Sequence, residues 1–302
     1  MNFLSKIIDK LYLKQWSIGI LDVSIEDVIQ NKKIEKDFTW VPINNNHQFF
    51  ADPFIFKSKV GGYSILYEDY DYNSQYGKIS MGTLDDNNNV IATKAQIDTK
   101  SHLSYPSIFI EDGTMYVFPE AAASEKLSCY EYDYDTNSIN YKADIINLPL
   151  LDSTILRYKD KYWIFSTMKG YDSNKKLYIY YSENLFGPYI PHTQNPVKNN
   201  INGSRPAGNI IEVDGILYRP SQNSGKHYGS SININKIIFL DENKFIEEYY
   251  MTITSDKTSH FSFGIHTINH IDNLIVVDGL RRTFLPFTQI YTFIRKKLRN
   301  LK

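Results

Sequence analysis

Cysteine is almost absent from this 302-residue chain, which contains Cys129 and no other thiol. A single cysteine excludes an internal disulfide and any metal site built from cysteines. An apolar run of roughly 18 residues, the length that predicts a membrane-spanning helix, is also missing. The first residues, MNFLSKIIDKLYLKQW, lack the apolar core and small-residue cleavage site of a signal peptide. Together these absences predict a cytoplasmic protein.

The chain also lacks an excess of either charge, because its 33 Lys and Arg residues nearly balance its 34 Asp and Glu residues, for a net charge of −1. A dedicated nucleic-acid binder needs a basic face, so we expect no nucleic-acid partner. With 42% hydrophobic and 22% charged residues, the chain can bury a core and is not disordered. The 24 Tyr and 17 Phe residues favour strands and surfaces that stack against sugars.

An internal repeat is the most informative feature that is present. Each copy opens on a polar or small residue before an apolar run, then has a turn, a second strand rich in aromatic and β-branched residues, and polar side chains at its end. The copies are ADPFIFKSKVGGYSILYED (51–69), SYPSIFIEDGTMYVFPEA (104–121), LDSTILRYKDKYWIFSTM (151–168), SRPAGNIIEVDGILYRPSQN (204–223) and FGIHTINHIDNLIVVDGL (263–280). Each copy predicts a β-hairpin.

The spacing of the copies predicts the fold. Their opening residues, Asp52, Tyr105, Asp152, Arg205 and His266, are 53, 47, 53 and 61 residues apart. Repeats of roughly 50 residues with four strands each are typical of β-propeller blades. We therefore predict an all-β, five-bladed β-propeller with short helical extensions at both ends; a β-sandwich is the alternative. We also expect the strand WSIGI to pair into the last blade, because this closure removes an exposed sheet edge.

Propeller geometry turns the repeat into a predicted site. The first strand of every blade lines the central channel, so the five opening residues are expected to face one another at one mouth. The ends of the second strands add a further set of polar side chains there: Glu68, Glu120, Thr167, Gln222 and Asp278. Converging polar groups in an aromatic-lined cavity are the default expectation for a binding site.

These segments also resemble a known family. The runs QWSIGI, FFADPFIF, HLSYPSIF, LLDSTILRYKDKYWIF, LYIYYSENLFGPY, SRPAGNII and FGIHTINH are similar to the N-terminal domain of plant glucosamine inositolphosphorylceramide transferases and to its bacterial stand-alone relatives. The resemblance covers about residues 14–281. In the plant proteins a separate glycosyltransferase domain follows, and it is not part of this sequence, so their activity does not transfer directly.

More distantly, the chain resembles the five-bladed propeller glycosidases of the arabinanase, invertase and levansucrase type. In their inverting branch, the resemblance implies a base Asp at the first blade, an Asp that tunes the pKa of the acid at the third, and an acid Glu at the fourth. Asp52 and Asp152 match the first two positions, whereas Arg205 replaces the acid. A guanidinium stays charged near neutral pH and cannot serve as that acid, so Glu120 or Glu68 is expected to substitute.

The departure at Arg205 suggests another chemistry, because Arg binds phosphate in a bidentate manner and a phosphate leaves without protonation. We therefore expect a glycosyltransferase of surface-polysaccharide or glycolipid biosynthesis, with a phosphate-activated sugar donor in the channel. An inverting glycoside hydrolase and a non-catalytic glycan-binding module are the alternatives. The expected catalytic residues are Asp52, Asp152 and Glu120, and the expected substrate-binding residues are Arg205, His266, Tyr105, Glu68, Gln222 and Asp278.

Each of these residues also has a purely structural interpretation. Asp52 could cap backbone N–H groups, Asp152 could form an Asx-turn, and Arg205 could pair with either acid. His47, His266 and His270 do not have the spacing of a zinc site on a helix. We expect no metal and no cofactor.

The sequence predicts a separate segment at each end of the propeller. Residues 1–15 place apolar side chains at helical spacing, and FIRKKLRNLK at the end has five basic residues. We divide the chain into an amphipathic helix at 1–15, the propeller at 16–285 and a basic tail at 286–302. Basic amphipathic segments can lie on anionic membranes, which would place the protein at the inner face of the membrane. The alternative is that both ends pack on the propeller or fray.

Overall fold

A computed structural model describes residues 9–58, 61–121 and 123–286. Within these ranges the chain forms strands that assemble into five antiparallel sheets, together with one short helix. The sheets are the blades of a five-bladed propeller, so the predicted fold class is confirmed. The expected terminal helices fall largely on residues 1–8 and 287–302, outside the described residues. No helix among the described residues is long and apolar enough to cross a membrane.

Two strands and a helix precede the first two blades along the chain. The chain begins with β1 (Tyr12–Asp22), α1 (Ile25–Asn31) and β2 (Thr39–Trp40). Blade 1 contains β3 (Gln48–Lys57), β4 (Tyr63–Asp71), β5 (Tyr76–Leu84) and β6 (Val90–Ile97). Blade 2 contains β7 (Ser104–Glu111), β8 (Thr114–Glu120), β9 (Leu127–Asp133) and β10 (Ser138–Ile146).

The remaining blades keep the same inner-to-outer order. Blade 3 contains β11 (Leu150–Tyr158), β12 (Lys161–Met168), β13 (Lys176–Ser182) and the short edge strands β14 (Ile190–Pro191) and β15 (Lys198–Asn199). Blade 4 contains β16 (Ile211–Val213), β17 (Ile216–Asn223), β18 (Ser231–Leu240) and β19 (Phe245–Ile253). Blade 5 contains β20 (Gly264–Ile271) and β21 (Leu274–Phe284), followed by β1 and β2.

The ring is closed by the first strand of the chain. β1 pairs with β21 along its whole length, from Tyr12 opposite Phe284 to Asp22 opposite Leu274. The predicted closure by WSIGI is therefore confirmed. The strand is longer than expected, because residues 12–15 belong to it, and the boundary predicted between helix and propeller after residue 15 is wrong. The backbone groups of these four residues pair with those at the end of β21, which a helix would not allow.

The hydrophobic core is divided among the five gaps between neighbouring blades. Phe54 of blade 1 and Val117 of blade 2 belong to one buried cluster, and Phe118 of blade 2 shares a second cluster with Ile155 of blade 3. Equivalent clusters fill the gaps between blades 3 and 4, 4 and 5, and 5 and 1. Both faces of a blade are thus covered, which explains why the strands read as nearly continuous apolar runs.

Helix α1 covers the gap between blades 4 and 5. The Oγ of Ser24 accepts a hydrogen bond from the N–H of Asp27 at 3.1 Å and caps the first turn. Ile25 and Ile29 are buried in the cluster that the two blades share. The helix therefore packs over the junction of blades 4 and 5, next to the closing strand β1.

Candidate functional site

The inner strands of blades 1, 2 and 3 each carry a β-bulge near their start, where the pairing register with the next strand shifts. The bulged residues adopt a left-handed backbone, with φ of 51° at Asp52, 43° at Tyr105 and 50° at Asp152. This conformation is uncommon outside Gly, Asn and Asp. Bulges re-aim side chains and are frequent next to active sites. The three residues are the opening positions that the repeat predicted.

Each of these bulges donates its backbone N–H to a carboxylate of the preceding blade. The N–H of Asp52 donates to Oδ2 of Asp278 at 3.1 Å, and that of Tyr105 donates to Oδ2 of Asp52 at 3.2 Å. The N–H of Asp152 donates to Oε2 of Glu120 at 3.2 Å. The acids at the strand ends therefore link one blade to the next, and the structure brings them together at one mouth of the channel.

Arg205 of blade 4 lies against two acids from other blades. Its Nε is 2.5 Å and one Nη is 3.1 Å from the two oxygens of Asp152, and the same Nη is 3.3 Å from Oε2 of Glu120. Nε2 of Gln222 also donates to Asp152 at 2.7 Å. Burial alone would raise the pKa of Asp152, but the Arg205 charge and hydrogen bonds lower it below its usual value.

Glu120 responds in the opposite direction. Burial and then the negative charge of Asp152 raise its pKa well above the usual value, and Arg205 offsets this only in part. Neighbouring acids whose pKa values are pushed apart are a frequent basis of acid–base catalysis. The Arg205 charge therefore lowers the pKa of Asp152, and burial beside Asp152 raises the pKa of Glu120, which is 7% exposed at the mouth.

The donors of Arg205 are largely committed to protein partners. Its remaining Nη donates to Oδ1 of Asn174 at 3.3 Å, and its side chain is 13% exposed. A phosphate that bound Arg205 in a bidentate manner would compete directly with Asp152. Phosphate recognition at this residue stays a prediction, and the structural alternative, pairing with Asp152, is the arrangement observed.

Asp52 lies between blades 5 and 2 and is 5% exposed. Its Oδ1 accepts a hydrogen bond from Oγ1 of Thr267 at 2.7 Å and lies 3.7 Å from Nε2 of His266. Burial raises the pKa of Asp52 to about 6, although His266 acts against the shift. A carboxylate with this pKa is ionised at neutral pH and still a competent base.

His266 is held at the mouth by charge and by stacking. Its Nδ1 lies 2.5 Å from Oδ2 of Asp278. Burial lowers the pKa of His266, but Asp278 and then Asp52 raise it more strongly, so the net pKa lies above its usual value. The ring stacks on Trp16 with centroids 4.0 Å apart and planes inclined by 19°. The imidazole is thus fixed between two acids.

Three of these side chains could hold a metal ion, although the sequence predicted none. One ligand atom from each of Asp52, His266 and Asp278 lies within 4.8 Å of the others, and all three residues are buried. Carboxylate oxygens with an imidazole nitrogen suit several divalent cations. In the arrangement described, the same oxygens accept hydrogen bonds from Thr267 and from backbone N–H groups, so a cation would have to compete with these contacts.

Glu68 and Gln222 reach the mouth, and each has polar atoms that lack a hydrogen-bond partner among the described residues. Glu68 is 5% exposed, and Nε2 of His102 lies 3.8 Å from its Oε1. Burial and then the Arg205 charge lower the pKa of His102, which favours its neutral form. Burial and then the charge of Asp52 raise the pKa of Glu68 well above its usual value. Oε1 of Gln222 and Oγ1 of Thr167 are buried without a hydrogen-bond partner among the described residues.

Tyr105 does not face the channel, and its predicted role in substrate binding is wrong. The residue is fully buried in the core between blades 1 and 2. Its hydroxyl lies 2.9 Å from Oγ1 of Thr154 and accepts a hydrogen bond from the N–H of Gly208 at 2.6 Å. The bulge turns this side chain sideways, where it fastens blade 2 to blades 3 and 4.

Asp278 is a positioning residue, because it is fully buried. In addition to the N–H of Asp52, it accepts hydrogen bonds from the N–H groups of His266 at 2.9 Å and Thr267 at 3.0 Å. Its expected contact with substrate stays a prediction, and the hydrogen bonds observed are with the backbone. The side chain instead fixes the backbone on both sides of the Asp52–His266 pair.

Two aromatic residues that the sequence did not single out complete the mouth. Tyr228, 44% exposed in the loop between β17 and β18, is edge-on to the His266 ring with centroids 5.3 Å apart. The Arg205 guanidinium lies 5.7 Å from the Tyr228 ring centroid. Trp16 stacks on the His266 ring and is also edge-on to Tyr228, with centroids 6.4 Å apart. Both aromatics lie outside the five hairpins, so the repeat pattern could not identify them.

Comparison with protein families gives a match over most of the chain. The model described as "Glucosamine inositolphosphorylceramide transferase 1, N-terminal" matches residues 39–279. The rice (Oryza sativa subsp. japonica) glucosamine inositolphosphorylceramide transferase 1 is 29% identical over 240 residues, which cover 76% of this chain and 32% of that protein. The chain thus spans about a third of the length of the curated relatives that it matches.

Solved structures with a similar fold are glycoside hydrolases. Zg3597, a family 117 glycoside hydrolase from the marine bacterium Zobellia galactanivorans, has a TM-score of 0.57 at 12% identity and covers 93% of both chains. A thermostable family-43 glycoside hydrolase has a TM-score of 0.51 at 16% identity, covering 73% of this chain and 83% of the other. At these identities the likeness supports the fold alone.

Proposed function

Since the chain belongs to the family of the N-terminal domain of glucosamine inositolphosphorylceramide transferase 1 and is a carbohydrate-active protein, we propose that its channel mouth transfers a glycosyl group by general acid–base chemistry. Asp52 is the base and Glu120 is the acid. The acceptor is either water or a sugar hydroxyl, so hydrolysis and transfer share one set of residues. Asp152 keeps the acid protonated, the role that the resemblance to propeller glycosidases implied for it.

The observation that carries this proposal is the contact of Arg205 with both Asp152 and Glu120, two buried carboxyl groups from neighbouring blades. Arg205 lowers the pKa of Asp152, and the resulting negative charge helps to raise the pKa of Glu120. One oxygen of Glu120 already accepts from the N–H of Asp152 and from Arg205. The acidic proton therefore belongs on the other oxygen, Oε1, from which it can be donated to a leaving group.

The proposed step balances without a cofactor. The glycosidic bond between the anomeric carbon and the leaving oxygen breaks as Glu120 delivers its proton to that oxygen. The acceptor oxygen forms the new bond to the anomeric carbon and gives its proton to Asp52. Exchange with solvent then returns the proton from Asp52 to Glu120. The two carboxyl groups of an inverting enzyme act on opposite faces of the sugar in this way.

The test uses conservative substitutions with matched controls. We expect Asp52→Asn and Glu120→Gln each to lower turnover of oligosaccharides or glycosides roughly 10²–10⁴-fold, while saccharide binding persists. Asp214→Asn and Glu131→Gln are the controls, because Asp214 lies in the exposed turn at the far end of blade 4, and Glu131 on strand β9 pairs with Lys142. Turnover is followed by release of reducing sugar, with and without added acceptor sugars.

Wild-type turnover in both channel variants would overturn the acid–base assignment. If the protein binds saccharides but shows no turnover with any acceptor, the non-catalytic glycan-binding module becomes the better description. Failure to bind any saccharide would contradict the proposed function as a whole.

A phosphate-activated donor is the second candidate, favoured by the name of the relatives, which describes a transferase. Arg205 would then release Asp152 and hold the donor phosphate. Calorimetry with nucleotide sugars and sugar phosphates tests this, using the wild type and Arg205→Ala. Tight binding that disappears in the variant supports the phosphorylated donor, and binding of neutral oligosaccharides alone excludes it.

The cellular setting follows as a further part of the proposal. We place the protein in the cytoplasm, in surface-polysaccharide or glycolipid biosynthesis, with peripheral contact to the inner face of the membrane. The support is sequence-based, because the apolar and basic terminal segments at 1–8 and 287–302 lie outside the described residues. Cofractionation of the protein with membranes, compared before and after removal of residues 287–302, tests the location.

A further inference from the structure

The loop between β17 and β18 carries an exposed aromatic residue at the channel mouth. Tyr228 of this loop is 44% exposed. Its ring is edge-on to His266, with centroids 5.3 Å apart, and Nε2 of His266 lies 3.7 Å from Oδ1 of Asp52. The Arg205 guanidinium lies 5.7 Å from the same ring centroid, and one Nη of Arg205 lies 3.3 Å from Glu120. Tyr228 therefore adjoins the partners of both the proposed base and the proposed acid.

Contacts with blade 5 fix the loop on both sides of this tyrosine. The His227 ring stacks on Phe263, with centroids 4.3 Å apart and planes inclined by 11°. The carbonyl of Gly229 accepts a hydrogen bond from the N–H of Ile265 at 2.8 Å. A Cβ atom at Gly229 would lie 2.5 Å from the Trp16 ring, so the loop backbone packs directly on that ring. A tyrosine held in this way has only two side-chain torsions left to order when a ligand binds.

The hydroxyl of Tyr228 lies in the electric field of the acids at the mouth. Burial around it raises the pKa of Tyr228 well above its usual value; Arg205 lowers the pKa, and the charges of Asp152, Asp52 and Glu120 raise it further. A phenol with a raised pKa is neutral near pH 7 and keeps its proton as a hydrogen-bond donor. The residue thus presents an exposed ring together with a neutral polar end.

A cyclic sugar has the complementary chemistry. The faces of its ring carry C–H groups, and hydroxyl groups surround its edge, whereas tyrosine combines an apolar ring with a polar tip. Binding sites for small molecules pair such aromatic walls with a few polar groups that fix orientation. The carboxyl groups and Arg205 supply the polar part of this mouth. Trp16, the aromatic neighbour of Tyr228, is only 7% exposed, so Tyr228 has far more surface to offer.

We propose that Tyr228 is the stacking platform of the channel mouth. The ring of the bound saccharide lies on the exposed surface of Tyr228, and this contact holds it between Asp52 and Glu120. Because the contact needs a flat array of C–H groups, the mouth selects cyclic sugars over open-chain polyols. This inference deepens the proposed function and rests on it, since it names a specificity-determining residue of the same site.

The test compares cyclic sugars with polyols that have no ring. Methyl glycosides and disaccharides of glucose, galactose and xylose are titrated by calorimetry, with sorbitol, galactitol and xylitol as the open-chain references. In Tyr228→Ala we expect the affinity for the cyclic sugars to fall roughly tenfold to a hundredfold, as truncation of a tyrosine at the centre of a binding site does. The preference for cyclic over open-chain compounds should fall towards one. Tyr228→Phe keeps the ring and should retain most of the affinity.

A matched control and two further measurements separate binding from a structural role. Tyr249→Ala truncates a tyrosine that is 65% exposed on β19, the outer strand of the same blade, and should leave every affinity unchanged. Loss of a contact made equally before and during the reaction raises KM and leaves kcat unchanged, so Tyr228→Ala should show this pattern. Thermal unfolding checks that each variant keeps the propeller, and NMR follows the titration of His266. An altered His266 titration with unchanged sugar affinity would overturn the proposal, because the ring would then only support the histidine.

The outcomes distinguish this inference from the function on which it rests. If Tyr228→Ala binds cyclic sugars as tightly as the wild type, the platform is wrong, while the roles of Asp52 and Glu120 are untouched. If Tyr228→Phe loses as much affinity as Tyr228→Ala, the hydroxyl rather than the ring recognises the sugar, and the stacking assignment is wrong. If the wild type binds no cyclic sugar, this inference and the proposed function fail together.

Discussion

At the scale of single residues, the buried carboxyl of Asp52 lowers the stability of the fold when it is ionised. The carboxyl is 5% exposed, and its hydrogen bonds from Thr267 and Tyr105 do not offset its burial. Its pKa is therefore raised from 3.8 to about 6. A group whose folded-state pKa is raised stabilises the fold only while it is protonated. The FFADPFIF segment thus contains an acid that destabilises the protein at the pH where it would act as a base.

We predict that Asp52→Asn is more stable than the wild type above pH 6 by about 3 kcal/mol, from ~1.4 kcal/mol for each pKa unit. Asn has the same shape and tolerates the left-handed backbone at this position. The wild type should lose its stability relative to the variant as the pH rises from about 4 through about 6. Urea unfolding across this range measures the difference.

The control for this prediction is Asp214→Asn, which changes an exposed turn residue with a similar φ of 52°. Its unfolding free energy should follow the wild type at each pH. If Asp52→Asn instead loses stability near pH 7, the contact with His266 outweighs burial, and Asp52 is a net stabilising residue.

At the scale of elements, the bulge is the unit that makes both the channel and the ring. The bulge directs the side chains of Asp52 and Asp152 towards the channel mouth, and it directs the side chain of Tyr105 towards the gap between two blades. Its backbone N–H bonds to a carboxylate of the blade before it. The same local geometry therefore places a candidate catalytic residue in one blade and a residue that joins blades in the next. The identity of the side chain at the bulge determines which of these two roles it has.

We predict that Tyr105→Phe lowers the free energy of unfolding by about 1–3 kcal/mol, because it leaves the buried N–H of Gly208 without an acceptor. Saccharide binding should be unchanged, since the hydroxyl does not reach the channel. Urea unfolding and calorimetry provide the two measurements.

Tyr171→Phe is the matched control, because this tyrosine is 96% exposed. A Tyr105→Phe variant with wild-type stability but weakened sugar binding would contradict the structural role and restore the original assignment of Tyr105 to the substrate.

At the scale of the whole molecule, stability is shared among five similar interfaces between blades. Two of them contain residues of both β1 and β21, because β1 completes blade 5. Ile18 and Ile20 of β1 contribute to the cluster between blades 5 and 1. Trp16 of the same strand stacks on His266, so closure of the ring also shapes the mouth.

We predict that removal of residues 1–22 gives a protein that aggregates or unfolds without a single cooperative transition. The edge of β21 would be exposed for pairing with other chains. A variant lacking residues 1–8 keeps β1 and should elute like the full chain, with a melting temperature close to that of the full chain. Gel filtration and thermal unfolding compare the two. A monomeric, cooperatively folding 1–22 deletion would show that the closing strand is dispensable.

The sequence alone predicted most of the architecture, for a local reason. A hairpin leaves its signature in about twenty neighbouring residues, and five such signatures at similar spacing are sufficient to predict a five-bladed ring. The positions of Asp52, Glu120, Asp152 and Arg205 at the mouth followed from that periodicity. The extent of β1 did not, because the apolar spacing of the first residues fits a helix as well as a strand.

Only the tertiary structure decided which contacts each mouth residue makes. The direction of the Tyr105 side chain, the pairing of Arg205 with Asp152, and the approach of Trp16 and Tyr228 to His266 all depend on contacts between blades. These contacts join residues that are tens to hundreds of positions apart, and no local pattern encodes them. The same holds for the displaced pKa values of Asp52 and Glu120, because burial and neighbouring charge exist only once the ring is closed.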